Sequence, residues 1–111
     1  MATTTVLMAR APLTATNTTV VYTRPTSTTS IITNIVISNY TTVAATFTMT
    51  IAGPTGTQVT FANAVSVAAN SQINYDVKLI MGAAATGTQT VIAYASALTS
   101  LAIHMSGVEI A

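Results

Sequence analysis

Very few side chains in this sequence have the chemistry that enzyme catalysis requires. The side-chain carboxylates are Asp76 and Glu109, the only histidine is His104, and cysteine is absent. General acid–base catalysis needs two titratable groups that are held together in different environments. Both carboxylates fall on strand positions that we expect to face away from the aliphatic residues, as charges on a solvated face or at an interface do. The two acids therefore do not predict an acid–base site.

His104 carries no local pattern for metal binding or nucleophilic catalysis. It shares its expected strand face with Ala102 and Ser106, and no cysteine or carboxylate lies at metal-ligand spacing from it. A Ser–His–Asp triad stays open, because its members come from distant parts of a chain, but no nucleophile-elbow motif supports one. We predict that the protein is not an enzyme and that it uses no cofactor and no metal.

The small number of charges excludes further classes of function. Charged residues make up 5% of the 111 residues, and the formal net charge is +1, whereas about 25% is usual in soluble domains. The basic residues Arg10, Arg24 and Lys78 are far apart, so they form no stripe that could neutralise a nucleic-acid backbone. No apolar window is long enough for a transmembrane helix, and the first residues do not resemble a secretory signal. We expect synthesis in a cytosol, with neither nucleic acid nor membrane as a partner.

The elements that carry these residues are predicted to be β-strands. β-Branched residues dominate, with 24 threonines among them, and apolar residues recur with a period of two. In residues 43–51, Phe47 and Met49 share one face while threonines occupy the other. Residues 72–79 alternate in the same way, and residues 31–38 are more continuously apolar, as in a strand covered on both faces.

The strand count indicates a β-sandwich. Weaker strands are predicted at 18–23, 58–61, 64–67 and 89–95, and a closing strand at 101–110 contains Gly107 as a bulge signal. Turn signals recur between the strands, including a small-residue loop at 82–87. Seven to eight antiparallel strands at this spacing predict an all-β fold, a single β-sandwich of jelly-roll or immunoglobulin-like type, over residues 17–111.

Residues 1–16 are predicted to form an extended N-terminal arm. They contain Pro12 and show no clean alternation, and their apolar triplet Val6, Leu7 and Met8 is too short to hold itself in place. We expect these three residues to form an assembly interface, either by packing on a neighbouring subunit or by adding a strand to its edge.

Two threonine-containing patterns have ordinary explanations. Thr46, Thr48 and Thr50 form a ladder that resembles ice-binding surfaces, but those belong mostly to repeat proteins, and this chain has no repeat. Threonine also suits outward strand positions in general. The glycosylation sequons at Asn17 and Asn39 are expected to be coincidental in a threonine-rich chain.

The composition favours a subunit of an assembly. Exposed sheet edges are usually protected by lysine, proline or inward-pointing charges. The chain has one lysine and three prolines for about eight strands. Unprotected edges and a nearly uncharged surface favour association, so we expect a homo-oligomer.

Several segments carry a family resemblance. Residues 32–39, 43–53, 61–76 and the closing 104–110, with its Ser-Gly-Val-Glu, together resemble small β-sandwich virion proteins of tailed bacteriophages. That group includes capsid decoration proteins and small neck or minor tail proteins, and the resemblance covers residues 18–111. The chain departs from it where Pro25-Thr26-Ser27 lacks the glycine of a Pro-x-Gly turn, and where Gly87-Thr88 replaces Gly-Asp.

The resemblance implies a structural subunit of a tailed-phage virion. Such a subunit is made in the host cytoplasm and assembles as a homo-oligomer on the capsid, neck or tail, with other virion proteins such as the major capsid or tail protein. One alternative is a host-surface or glycan-binding module at a tail or fibre tip, for which Tyr22, Tyr40 and Tyr94 are the available aromatic residues. Another is a pilus-type subunit completed by a donated strand, which normally requires export.

Overall fold

Eight β-strands make up the fold of the residues that the structure describes. A computed structural model describes residues 3–16, 18–53, 58–82, 89–97 and 100–110. The strands are β1 (Thr3–Pro12), β2 (Val20–Thr23), β3 (Thr29–Asn39), β4 (Ala45–Ala52), β5 (Gln58–Val67), β6 (Gln72–Met81), β7 (Thr90–Ala95) and β8 (Leu101–Ile110). All pairings are antiparallel. The prediction of a single all-β sandwich is confirmed.

The order of the strands is that of a jelly roll. Sheet 1 has the order β1-β8-β3-β6, and sheet 2 has the order β2-β7-β4-β5. The pairs β1–β8, β2–β7, β3–β6 and β4–β5 are nested, as if one long hairpin centred on the β4–β5 turn had been wrapped around the core. Two four-stranded antiparallel sheets built in this way are a jelly roll rather than an immunoglobulin-like sandwich.

The prediction of an extended N-terminal arm is wrong for residues 3–12. Thr3–Pro12 forms strand β1, which pairs with β8 from Thr3 opposite Ile110 to Pro12 opposite Ala102. The register shifts at Met8, and as a result both Met8 and the next residue are buried. A bulge of this kind interrupts the period of two, and for this reason the strand was hidden in the sequence.

The core lies between the inward faces of the two sheets. The predicted alternation in 43–51 is confirmed, since Phe47 and Met49 are fully buried. The ring of Tyr75 meets that of Phe47 edge-on, with 6.2 Å between the ring centroids. Strand β3 buries Ile35 and Ile37 but leaves alternate residues half-buried on the outer face of sheet 1, which no described element covers.

Among the described residues, three that are not glycine have left-handed backbone: Ser27, Ala64 and Asn70. Ser27 has φ 57° in the turn after Pro25, at the position where the resembling family has glycine. Ala64 has φ 49° within β5, which runs continuously through the bend expected between two shorter strands. The loop expected at 82–87 lies outside the described residues except for Gly82, and Asn17 and Gly87-Thr88 lie outside them as well.

Gly107 marks a close approach between strands rather than a bulge in β8. The register shifts occur in the strands on either side of it, at Met8 in β1 and at Thr33 in β3. A β-carbon at Gly107 would collide with the carbonyl oxygen of Ile31 and would lie 2.7 Å from Cε of Met8. The absence of a side chain therefore lets β8 pair on both sides while Met8 fills the core.

We expect Gly107→Ala to destabilise the fold by about 1–3 kcal/mol, because the added carbon meets main-chain atoms that can move only with their strand. Gly82→Ala is the matched control, since no heavy atom lies within 4 Å of the β-carbon it would add. Urea unfolding monitored by circular dichroism measures both changes. Equal unfolding midpoints for the two variants would contradict this account of Gly107.

Candidate assembly surface

An apolar row crosses the outer face of sheet 1. Ile80 in β6 lies opposite Ile31 in β3, Ile31 lies opposite Val108 in β8, and Val108 lies opposite Thr5 in β1. Ile80 is 61% exposed, and Leu7, on the same face of β1, is 53% exposed. Directly opposed side chains on one face of a sheet contact each other. The apolar row, defined as Ile80, Ile31, Val108 and Thr5, is therefore a continuous surface.

A polar row borders the apolar row. Asn34 in β3 lies opposite both Ser106 in β8 and Asp76 in β6. Its Nδ2 donates to Oδ1 of Asp76 at 3.3 Å and to Oδ1 of Asn74 at 3.2 Å. Asp76 is exposed, as the sequence predicted. The outer face of sheet 1 thus offers apolar contacts beside a hydrogen-bonded polar strip.

Most of the sheet edges carry features that discourage pairing with another chain. In sheet 2, β2 has only four residues, and β5 contains register shifts and the left-handed Ala64. In sheet 1, β6 exposes Asp76 and Lys78, and the second half of β1 exposes Arg10 and Pro12. Short length, bulges, charges and proline are the usual protections of an edge strand.

The first half of β1 has none of these protections. Residues 3–7, which we call the open edge, contain neither charge nor proline, and the bulge at Met8 follows them. Thr3, Thr4, Thr5 and Leu7 are exposed. Among the described strands, β1 pairs with β8 alone, and β2 of the other sheet contacts it without pairing. The main-chain groups of β1 on the side away from β8 therefore face no described strand of sheet 1. Such an edge is a template for pairing with another strand.

The structure separates the three residues predicted as an assembly interface. Leu7 faces outward and is exposed, Val6 is half-buried opposite Gly107, and Met8 is 7% exposed within the core. Of the triplet, Leu7 is the residue whose side chain is available to a neighbour. Thr3, Thr4 and Thr5, which were not predicted as interface residues, are exposed on the same strand.

Candidate residues line shallow depressions on the surface of the described part of the chain. His104 and Arg10, opposite each other across β8 and β1, line one of about 450 Å³ whose other walls are largely apolar. Tyr40, which is 55% exposed, lines another of about 490 Å³ together with Asn70 and Gln72. Within the described residues, no cluster of three histidine or acidic side chains is arranged to bind a metal ion. The described part of the chain also has no helix with the length and apolar character needed to span a membrane.

The expected orientation of Glu109 is wrong, because its side chain points inward. It follows Leu101, Ile103, Met105 and Gly107 on one face of β8. Residue Glu109 is held there by a tyrosine from the other sheet, a contact between residues 87 positions apart that the sequence does not reveal.

That tyrosine is Tyr22 in β2. Its hydroxyl donates to Oε2 of Glu109 at 2.5 Å, and its oxygen lies 2.7 Å from Oγ of Ser30 in β3, which donates to it. Burial, followed by the hydrogen bond to Glu109, raises the pKa of Tyr22 to about 12. These two hydrogen bonds link the two sheets through the neutral phenol of Tyr22. We call the three residues, Tyr22, Glu109 and Ser30, the inter-sheet clamp.

Two other polar residues also have structural roles. Arg24 is buried, and its Nη1 donates to the main-chain oxygen of Thr28 at 2.8 Å. Asn39 is 3% exposed, and its Nδ2 donates to the main-chain oxygens of Val43 at 2.9 Å and Val67 at 3.1 Å. Its Oδ1 accepts from the main-chain nitrogen of Thr41 at 2.9 Å. The sequon at Asn39 is therefore part of the turn and is not an accessible modification site.

The threonine ladder of β4 does not present a regular array to solvent. Thr48 and Thr50 are buried on the outer face of sheet 2. The hydroxyl of Thr48 accepts from the main-chain nitrogen of Ala64 at 3.1 Å, and that of Thr50 lies 2.9 Å from the hydroxyl of Thr60. These hydroxyls form hydrogen bonds with residues of β5, so they are not available as a regular array to bind ice. This disfavours the ice-binding alternative.

Comparison with known proteins finds similarity at the level of structure. No protein-family model matches the chain, and no curated protein matches it. A chain in the crystal structure of the T13 particle of infectious bursal disease virus has a TM-score of 0.59 and 10% identity, over 97% of this chain and 30% of that one. The Gx strain of that virus gives a TM-score of 0.59 and 10% identity, over 97% and 32%. The VP2 subviral particle gives 0.53 and 12%, over 97% and 31%.

The shared feature is the fold. At these identities the similarity shows a common arrangement of strands and does not show a common activity. The chain spans about a third of the length of the solved chains that it matches. Its two-sheet jelly roll therefore corresponds to one part of those larger proteins.

We expect the inter-sheet clamp to make stability fall at high pH. The pKa of Tyr22 is about 12 in the fold and about 10 when unfolded. The stabilising effect of the neutral phenol is therefore complete below pH 10 and is lost as the pH rises from 10 towards 12. Urea midpoints measured across this range should decline in the parent protein and decline less in Tyr22→Phe.

Tyr40→Phe is the control for this experiment, because the Tyr40 side chain is exposed. It removes one phenol without touching the clamp, so its decline between pH 10 and 12 should match that of the parent. If Tyr22→Phe and the parent lose stability equally between pH 10 and 12, ionisation of Tyr22 is not the cause of the decline.

Proposed function

We propose that this protein is a structural subunit of a virion. The observation that carries the proposal is the jelly-roll strand order, which is comparable over 97% of the chain with proteins that form viral particles. Jelly rolls occur in viral capsid domains, but also in lectin domains and cupins, so the fold alone does not select among these functions. The surface chemistry and the positions of the two carboxylates favour the structural role over the other functions of this fold.

The surface chemistry favours contact with other protein subunits. Leu7 and Ile80 are exposed on the outer face of sheet 1, and Ile31 and Val108 of the apolar row are half-buried on the same face. Neutral serine and asparagine side chains lie beside them. Neutral groups of this kind lose less on desolvation than ions do. An assembly held by this face depends mainly on apolar and hydrogen-bonded contacts, and five charged side chains per chain contribute little to it.

A role without catalysis is consistent with the placement of the two side-chain carboxylates. Asp76 points to the outer face of sheet 1, and Glu109 points into the sandwich. The sheet separates them, so they cannot act together on one substrate. Glu109 is already engaged by Tyr22, which leaves it a structural role.

The finer proposal is a small structural protein of a tailed-phage virion. The resemblance over residues 18–111 supports a homo-oligomer that is made in the host cytoplasm and decorates or stabilises the capsid, neck or tail. Its partners are then copies of itself and another virion protein, such as the major capsid or tail protein. Nucleic acid and membrane are not expected partners of such a surface.

A second candidate is a host-surface or glycan-binding module at a tail or fibre tip. The depression beside Tyr40 favours it, because an exposed aromatic ring lies there among the polar side chains of Asn70, Ser71 and Gln72. No acid lines this depression, and Tyr22 is committed to the inter-sheet clamp. Tyr40→Ala separates the two candidates, since it should abolish glycan binding in a recognition module and leave assembly unchanged in a structural subunit.

We expect the purified chain to form a homo-oligomer that resists salt. Raising sodium chloride from about 0.1 to 1 M shortens the screening length from roughly 10 to 3 Å and weakens charged contacts while leaving apolar ones in place. Multi-angle light scattering at both concentrations should therefore report the same mass. Immunogold labelling of intact particles from producing cells should locate the chain on them.

A chain that stays monomeric in dilute buffer, or that salt releases from particles, would contradict the apolar interface. A chain found only apart from particles in producing cells would overturn the proposed virion role itself.

A further inference from the structure

We propose that two copies of this chain pair through their open edges. Residues 3–7 of each copy align antiparallel about a two-fold axis at Thr5, so that the two copies of sheet 1 become one eight-stranded sheet. This inference rests on the homo-oligomer of the proposed function and names the surface that forms it.

The occupant that best fits the open edge is an extended strand. β1 has main-chain N–H and C=O groups on the side away from β8, with no neighbouring strand of sheet 1 to accept or donate hydrogen bonds. Another strand satisfies a row of such groups by extending the sheet. Side-chain binding alone would leave these main-chain groups to water.

Among the edges that another copy offers, β1 is the best match for β1. Strand β2 is too short to cover five residues, and β5 is distorted by register shifts and by Ala64. Pairing with β6 would bring Asp76 and Lys78 against uncharged threonines, at a cost in desolvation. The open edge of a second copy is regular, uncharged and of the same length.

The register follows from the ends of the open edge. With Thr5 opposite Thr5 of the second copy, Thr3 lies opposite Leu7 and Thr4 lies opposite Val6, so all five residues pair. A shift towards the C-terminus would bring the bulge at Met8 into the ladder, where the strand no longer keeps regular spacing. No charged residue lies within the paired segment, so self-pairing meets no like-charge repulsion.

This pairing also extends the outer face of sheet 1. The apolar row ends at Thr5, and the two-fold axis places the same row of the second copy directly beyond it. The row then crosses eight strands, and Leu7 of each copy packs beside Thr3 of the other. Pairing of the two open edges through their main chains thus doubles the apolar surface that is available to a further virion protein.

The cross-linking test uses a single introduced thiol, because the chain contains no cysteine. Directly opposed residues in antiparallel strands have α-carbons about 4.5–5.5 Å apart, within the range of about 4.4–6.8 Å that a disulfide spans. Mild oxidation of Thr5→Cys should give a covalent dimer in high yield. Gln72→Cys, an exposed position on the opposite edge of sheet 1, is the control and should remain mostly monomeric on a denaturing gel.

The register is tested by mixing two further variants. Thr3→Cys and Leu7→Cys should cross-link with each other when mixed, and each should cross-link poorly alone. Self-linking of Thr3→Cys that equals its linking to Leu7→Cys would overturn the axis at Thr5. Cross-linking of Thr5→Cys no better than that of Gln72→Cys would overturn the pairing.

A charge variant tests the same surface without oxidation. Thr5→Lys brings two ammonium groups together at the axis, so dimerisation should weaken by about tenfold or more. Gln72→Lys is the matched control and should leave dimerisation unchanged. Urea midpoints verify that both variants fold, and unchanged dimerisation in folded Thr5→Lys would overturn the inference.

These outcomes are distinct from failure of the proposed function. A chain that labels on particles but shows no preferential linkage at Thr5 keeps the virion role and loses the open-edge pairing. A chain that links at Thr5 but never occurs on particles keeps the pairing and loses the virion role.

Discussion

The pairing of β8 with β1 on one side and β3 on the other is the constraint on which the rest of this fold depends. It places β8 inside sheet 1 and β1 beside it at the edge of that sheet. Gly107 makes the double pairing possible, because any β-carbon there would meet the main chain of Ile31 and the side chain of Met8. Because β1 and β8 are the outermost of the nested pairs, and β8 also pairs with β3, β1 is left at the edge of sheet 1.

Side-chain hydrogen bonds join the turns and the two sheets in the described part of the chain. Asn39 satisfies three main-chain groups around one turn, and Tyr22 joins the sheets through Glu109 and Ser30. Buried polar groups that are fully bonded in this way fix the arrangement of the turns and sheets. Because the charges are so few, their placement matters most at the edges, where Asp76 and Lys78 on β6 discourage pairing and leave the start of β1 as the open edge.

The fold can be predicted from the sequence where the period of two is unbroken. The prediction fails where a bulge interrupts the period or where a residue's position depends on a partner that is distant in sequence. Residues 43–51 were assigned correctly because Phe47 and Met49 alternate with threonines in a regular strand. Strand β1 was missed because the bulge at Met8 places two consecutive residues inside. The role of Glu109 was missed because its partner lies 87 positions away. The interface role of Leu7 stays a prediction, and the position of the neighbouring threonines at a sheet edge became visible only with the sheet order.

The number of open edges per subunit decides what kind of assembly a β-sandwich can make. Two unprotected edges on one subunit would let pairing propagate from copy to copy and give a fibre. Here β2 is short, β5 is irregular, β6 carries Asp76 and Lys78, and β1 is protected from Met8 onwards, so residues 3–7 are the segment best suited to pairing. A single self-complementary edge closes after two copies, and larger assemblies must then use another surface. The apolar row that ends at Thr5 is the surface best suited to that second contact, since the same axis that closes the edge makes the row continuous.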